Sequence, residues 1–188
     1  VVLFDVSKEI KNASLANIYT NDANRVDILK KIKSYYTNFF TDNRDKGIYL
    51  HGTFGTGKTY IISALLNELA KKDVKSTIVH VPELLRGLKE SFSSDYRERF
   101  FTLKTTPILL LDDIGAEYLT AWGSDEVLER LLHYRMNENL PTFFTSNLTL
   151  EELENFHYTT NLTRCGMCTN RCLLTIHKFE SGENFISG

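Results

Sequence analysis

Apolar residues recur along this chain at two alternating periods, one helical and one strand-like, and their succession lays out the elements. Leu29, Ile32, Tyr36, Phe39 and Phe40 fall at helical spacing, which predicts an amphipathic helix over 23–40 closed by the polar turn Thr41-Asp42-Asn43-Arg44-Asp45. A mixed lead-in over 8–18 precedes it, with Asn12-Ala13-Ser14-Leu15 as a local cap or turn. A first core strand is expected over 47–51. Behind it, Ile61, Ile62, Leu65, Leu66 and Leu69 mark the buried side of a second helix, which Lys71-Lys72-Asp73 ends. Residues 77–81 read as a strand stopped by Pro82, and 83–90 and 95–103 as two charged helices spotted with aromatic residues. Pro107 separates these from Ile108-Leu109-Leu110-Leu111, apolar on both faces, as a parallel strand covered by helices requires. Val127, Leu128, Leu131, Leu132 and Met136 predict a helix over 124–137 headed by Ser124. Residues 142–145 form another strand, Thr149 caps a short helix ending near 156, and 172–179 is the last strand. Strands separated by helix-length segments predict a three-layer α/β fold, a five-stranded, mainly parallel sheet flanked by helices.

Between the first strand and the second helix, Gly52-Thr53-Phe54-Gly55-Thr56-Gly57-Lys58-Thr59 satisfies the phosphate-loop pattern G-x-x-x-x-G-K-[ST] in full. The glycines let backbone N–H groups converge on phosphate oxygens, Lys58 reaches the β- and γ-phosphates, and the Thr59 hydroxyl ligates Mg²⁺. The helix opening beside Gly57 adds its positive end to the same place. Full motif, preceding apolar run and following helical stretch coincide, so the reading is a P-loop nucleotide hydrolase with ATP and Mg²⁺ as its cofactors.

A second motif closes the central strand, where Asp112 and Asp113 follow four apolar residues. The C-terminal ends of parallel strands are where open α/β sheets bind ligands. Asp112 is expected in the Mg²⁺ shell, directly or through water, and Asp113 orients or deprotonates the attacking water. Taken alone, the pair also reads as a solvated turn. Glu117 is the reserve base. The next strand ends Thr145-Ser146-Asn147, and an amide there can hold the water near the γ-phosphate; the competing reading makes Asn147 the start of a turn.

The chain has 188 residues, enough for one domain with a continuous core. Its 22 basic and 24 acidic residues give a formal charge of −2, which exerts no global pull toward nucleic acid or membrane. No apolar stretch approaches the roughly 20 residues of a membrane helix. Three cysteines, an odd number, argue against a secreted disulfide framework and for a cytoplasmic setting. No secretory pattern opens the chain, and Val1 in place of methionine raises the expectation of a missing upstream region.

Several runs together carry a family likeness. They are the loop Gly52 to Thr59, Leu109-Leu110-Leu111-Asp112-Asp113-Ile114-Gly115-Ala116-Glu117, Trp122, Asp125-Glu126-Val127-Leu128, Tyr134-Arg135-Met136, and Leu140-Pro141-Thr142-Phe143-Phe144-Thr145-Ser146-Asn147 with Glu151-Glu152-Leu153. The chain resembles the bacterial replicative helicase loaders of the DnaC/DnaI type, ATPases of the AAA+ class that are also close to the ATPases assisting certain transposases. The resemblance implies ATP-controlled delivery of the replicative helicase onto single-stranded DNA during primosome assembly, side-by-side self-association in an open or helical oligomer, and a helicase-binding region upstream. It places 12–15 near the adenine and makes Asp113 the usual residue at its position. On this reading 1–46 is a lead-in and helix packed on the ATPase core, and 47–188 is the core itself. Within it 156–188 departs from the family pattern, with the C-terminal lid absent or reduced. The family's arginine-bearing helix is not legible there. Arg171, ahead of Arg164, is the candidate to complete a neighbouring subunit's site, against the reading of two solvated arginines.

Cys165, Cys168 and Cys172 with His177 are spaced for a tetrahedral zinc site, but the spacing is compact, and isolated thiols are the favoured reading. Arg86, Lys89, Phe92, Tyr96, Arg97 and Arg99 combine rings and cations as single-strand binders do, or form an ordinary solvated face. The functions in competition are a helicase loader, a transposition accessory ATPase and an adaptor in which ATP only orders the protein.

Overall fold

The computed structural model describes residues 1–4, 8–42, 44–90, 94–115, 124–155 and 174–179. In chain order the elements are β1 (Val2–Phe4), α1 (Ala23–Asn38), β2 (Ile48–Gly52), α2 (Lys58–Ala70), β3 (Ser76–His80), α3 (Val81–Glu90), α4 (Ser94–Thr105), β4 (Ile108–Asp112), α5 (Ser124–Asn137), β5 (Thr142–Ser146), α6 (Leu150–Asn155) and β6 (Leu174–Phe179). Two short 3₁₀ turns, Lys8–Asn12 and Leu15–Asn17, lead into α1. The strands form one sheet in the order β1-β3-β4-β5-β2-β6, and every pairing is parallel.

The sheet is the middle of three layers because its strands are apolar on both faces. Successive side chains of a strand point to opposite sides, so Ile48, Leu50, Ile78, Ile108, Leu110 and Phe143 pack against α1 and α2. Their neighbours Tyr49, Val79, Leu109, Leu111 and Phe144 meet Leu84, Leu85, Leu103, Leu128, Leu131, Leu132 and Leu153 from α3 to α6. Each such side chain, fully buried, contributes roughly 1.5–3 kcal/mol. The five expected strands are all present. A sixth, β1, adds to the β3 edge through Val2, Leu3 and Phe4 opposite Thr77, Ile78 and Val79; three residues are too few to display a period.

The inner stripe of α1 is Ile28, Leu29, Ile32 and Tyr35, continued by Phe39. Phe40, expected on that stripe, is 61 % exposed. The helix stops at Asn38, so the two rings lie beyond it; Phe39 turns inward and Phe40 stacks edge-on against it with ring centres 5.0 Å apart. The cap expected at Thr149 is a reciprocal box: Glu152 N–H donates to Thr149 Oγ1, and Thr149 N–H donates to Glu152 Oε2.

One buried charge was not expected. Arg135, in the last turn of α5, is wholly buried and donates to Thr142 Oγ1 and to the carbonyls of Leu103, Lys104, Thr106, Pro107 and Pro141. It thereby satisfies carbonyls at the end of α4 and ties together the entries to β4 and β5. Burial pulls its guanidinium down to about 9, which leaves it charged at neutral pH.

The expected absence or reduction of the C-terminal lid concerns residues outside those described. Among the described residues no helix is long and apolar enough to cross a membrane.

Candidate nucleotide site

The strand order decides where the chemistry gathers. From β2 the chain runs through α2 and returns at β3, on the far side of the β4–β5 pair, so the C-terminal tips of β3, β4, β5 and β2 converge beside the N-terminus of α2. A cavity of about 590 Å³ opens there, within the usual range for ligand sites. Ile10, Asn12 and Tyr60 line one part of it, Phe54, Gly55, Gly57, Lys58 and Thr59 the loop, and His80, Asp112, Asp113, Thr145 and Asn147 the strand tips.

The loop has the backbone that phosphate binding needs. Gly55 and Gly57 take left-handed φ values of 74° and 81°, open to glycine and costly for other residues. A Cβ at Gly55 would meet nothing within 4 Å, so the backbone there faces open space. Thr56 braces the turn by donating to the Thr53 carbonyl at 2.8 Å. Gly57 begins α2 without any side-chain cap, leaving the helix's first amides for an anion. Phe54 projects from the loop at 86 % exposure.

Lys58 is buried, and its ammonium donates to the carbonyls of Gly52 (3.0 Å) and Thr53 (2.8 Å) and to Asn147 Oδ1 (3.0 Å). Burial lowers its pKa, and the charges of Asp113 and Asp112 oppose the shift. The Thr59 hydroxyl donates to Asp112 Oδ1 at 2.5 Å. A hydroxyl that gives its proton to a carboxylate keeps its lone pairs for a cation, so this donor pair fits Mg²⁺, which takes few protein oxygens.

Asp112 is held from three elements. Thr59 of α2 and Thr145 of β5 donate to Oδ1, and the His80 ring at the tip of β3 lies 3.2 Å from Oδ2. Burial works against its charge, yet the bonds from His80, Thr59 and Thr145 outweigh it and lower the pKa. The carboxylate accepts only, so His80 Nδ1 carries the proton of that bond. The bond in turn raises the His80 pKa against the effect of burial. Asp113 differs from its neighbour: burial, then the charge of Asp112, raises its pKa. Two adjacent carboxyls thus have opposite characters, a stable anion beside a stronger base. Asp113 also has a left-handed φ of 60°.

Of the expected residues, Phe54, Gly55, Gly57, Lys58, Thr59, Asp112, Asp113 and Asn147 line this one cavity, with Asn147 facing Lys58, while Gly52, Thr53 and Thr56 complete the loop without lining it. One participant carries no signal in the sequence and another only a weak one. His80 is brought in by register, since it pairs directly with Asp112 across β3 and β4; one polar residue closing a strand gives no signal of that. Thr145, like Ser146, is in the sequence a weaker candidate than Asn147. Glu117, Arg164, Arg171 and the three cysteines lie outside the described residues, and among the described ones no group of three His, Cys, Asp or Glu side chains is placed to hold a metal. Of the residues considered for DNA, Arg86 pairs with Glu83, Arg99 lies 5.0 Å over the Phe4 ring, and Tyr96 packs beside Phe100; Arg97 is exposed. Phe92 and the Lys89 side chain are outside the described set.

The sequence matches the family described as IstB-like ATP binding protein over residues 4–182. The chain belongs to that family. It is 39 % identical over 155 residues to the replicative helicase loader DnaI of Bacillus subtilis (strain 168), covering 82 % of this chain and 50 % of that protein. The crystal structure of DnaI superposes with a TM-score of 0.79 at 38 % identity, covering 94 % of this chain and 95 % of that one. A structure from Streptococcus pyogenes serotype M3 gives 0.80 at 30 % identity, covering 97 % and 94 %. The expected likeness to helicase loaders of the DnaC/DnaI type is borne out, and the chain is an ATP-binding protein of the AAA+ type. It spans about half the length of the curated relatives it matches.

Proposed function

We propose that this chain is the hydrolytic ATP switch of a replicative helicase loader, which helps place the helicase on single-stranded DNA in the cytoplasm. One observation supports the hydrolytic part above others: Lys58, Thr59, Asp112, Asp113 and Asn147, drawn from a loop and two strand tips, line a single cavity. The loop amides and Lys58 bind and orient the phosphates. Thr59 and Asp112 are the residues that would hold Mg²⁺, which would supply neutralisation of phosphate charge. Asn147 orients a water molecule. Asp113 accepts that water's proton as its oxygen attacks the γ-phosphorus and the bridging P–O bond breaks, giving ADP and phosphate. Arg171 from a neighbouring subunit neutralises charge on the transferring group.

The helicase part is supported by the likeness to DnaI, a replicative helicase loader. The surface of α3 and α4 that carries exposed Arg86 and Arg97 and half-buried Tyr96 and Arg99 is where single-stranded DNA binds weakly until assembly strengthens it. The test captures the replicative helicase and, in parallel, a transposase on the immobilised full-length protein while phosphate release is followed. Helicase retention with turnover supports the proposal. Transposase retention, or helicase retention with ATP binding and no turnover, replaces it with the accessory ATPase or the adaptor.

A further inference from the structure

Thr145 sits one residue from the end of β5, 1 % exposed, and its hydroxyl makes two bonds. It donates to Asp112 Oδ1 at 2.7 Å and accepts from the Asp113 backbone N–H at 2.9 Å. A threonine hydroxyl has one proton. The carboxylate can only accept and the amide only donate, so both directions are fixed and the single proton is committed to Asp112.

Its neighbours work at the same joint. The Thr145 carbonyl accepts from Ile114 N–H at 2.9 Å, and Ser146 Oγ donates to the Ile114 carbonyl at 2.6 Å. The β4–β5 register pairs end at Leu111 and Phe144, so past that point these contacts hold the two tips together. Asp113 needs such holding, because a left-handed backbone at a residue other than glycine is strained and persists only where surroundings enforce it.

Resting on the hydrolytic reading above, we propose that Thr145 is a positioning residue for ATP hydrolysis, one hydroxyl that aligns the cation-facing carboxylate of Asp112 and locks the turn presenting Asp113 to the cavity. The two residues are adjacent in sequence but have opposite tasks, and a common partner ties the carboxylate of Asp112 to the backbone of Asp113. Outer partners of this kind, which orient metal-binding groups, change metal affinity or activity by about 10- to 100-fold when removed.

Thr145→Val removes the hydroxyl and keeps the branched shape; Thr145→Ser keeps the hydroxyl and drops the methyl. Three quantities are measured on each: Mn²⁺ affinity by electron paramagnetic resonance with a non-hydrolysable ATP analogue, kcat and KM for ATP, and the urea midpoint. The expected result for Thr145→Val is a loss of about 10-fold or more in Mn²⁺ affinity and kcat, with KM within about threefold of wild type, and Thr145→Ser restores both. Wild-type Mn²⁺ affinity and kcat in Thr145→Val overturn the proposal, whatever its urea midpoint. Equal losses in both variants also overturn it, since the methyl and not the hydroxyl then matters. Should Thr145→Val fail to fold, Thr145→Cys, whose thiol is a weak donor, is read by the same outcomes. A wild-type protein that binds the analogue but releases no phosphate sinks the hydrolytic reading alone, and Mn²⁺ affinity still decides the role of Thr145.

Discussion

Lys58 Nζ and Asn147 Oδ1 lie 3.0 Å apart, joining the phosphate loop to the tip of β5 across 89 positions of sequence. The same ammonium holds the Gly52 and Thr53 carbonyls, so one cation gathers the loop and the strand tip around the cavity. Lys58→Ala removes both this bracing and the charge facing the β- and γ-phosphates. It is expected nearly to abolish ATP affinity or turnover, as measured by fluorescent nucleotide titration and phosphate release. Wild-type values for both would refute the site assignment.

Asp113 is proposed as the base, since burial and the neighbouring charge of Asp112 raise its pKa while Asp112 stays a hydrogen-bonded anion. Asp113→Asn is expected to preserve nucleotide binding and slow hydrolysis by roughly 10²-fold or more, the usual scale for losing a general base. Comparison with Glu117→Gln gives the alternative a fair trial. If that variant loses turnover while Asp113→Asn keeps it, the roles are exchanged.

Much of this was legible in the sequence because local patterns carried it. The phosphate loop is contiguous, the helices of Ile61 to Leu69 and Val127 to Met136 announce their buried faces by spacing, and Asp112 closes an unbroken apolar strand. The rest depends on pairing between distant segments. His80 becomes a site residue only because β3 and β4 align it with Asp112, and β1 exists only because β3 offers it an edge. Thr145 is only a weak candidate in the sequence and gains its place from a hydroxyl that lies between two carboxylate residues. Arg135 enters the sequence reading only within the run Tyr134-Arg135-Met136, whereas α5 turns it inward onto carbonyls from two other connections.

Arg171 is expected to complete the site of a neighbouring subunit. Among the described residues no arginine lines the cavity, although transferring a phosphoryl group develops charge that arginines in such hydrolases stabilise by about 10³- to 10⁵-fold. Mixing Arg171→Ala protein with Lys58→Ala protein checks this directly. Partial recovery of ATPase activity in the mixture supports action between subunits, because some interfaces then combine an intact loop with an intact arginine. An unchanged rate for Arg171→Ala alone, with no recovery and no dependence of specific activity on protein concentration, would assign the role elsewhere.

Arg135 offers a stability prediction whose sign follows from counting partners. Its guanidinium serves the Thr142 hydroxyl and five carbonyls, the shortest bonds being 2.7 Å to Thr106 and to Pro141. Lysine offers three donors from one point and cannot reproduce the planar fork that reaches both connections. Each buried carbonyl left without a donor costs about 1–3 kcal/mol, so Arg135→Lys is expected to lose roughly 2–4 kcal/mol, and Arg135→Ala, which also opens a cavity, more than that. Against a total stability of about 5–15 kcal/mol, the alanine variant is expected to be largely unfolded near its working temperature. Urea unfolding followed by circular dichroism gives the comparison. The effect should appear first as a lower midpoint with an unchanged slope, because the native contacts weaken while the surface exposed on unfolding stays the same. An Arg135→Lys midpoint equal to wild type would mean that the fork geometry contributes nothing and that any buried cation at the end of α5 suffices to hold the entries of β4 and β5 in register.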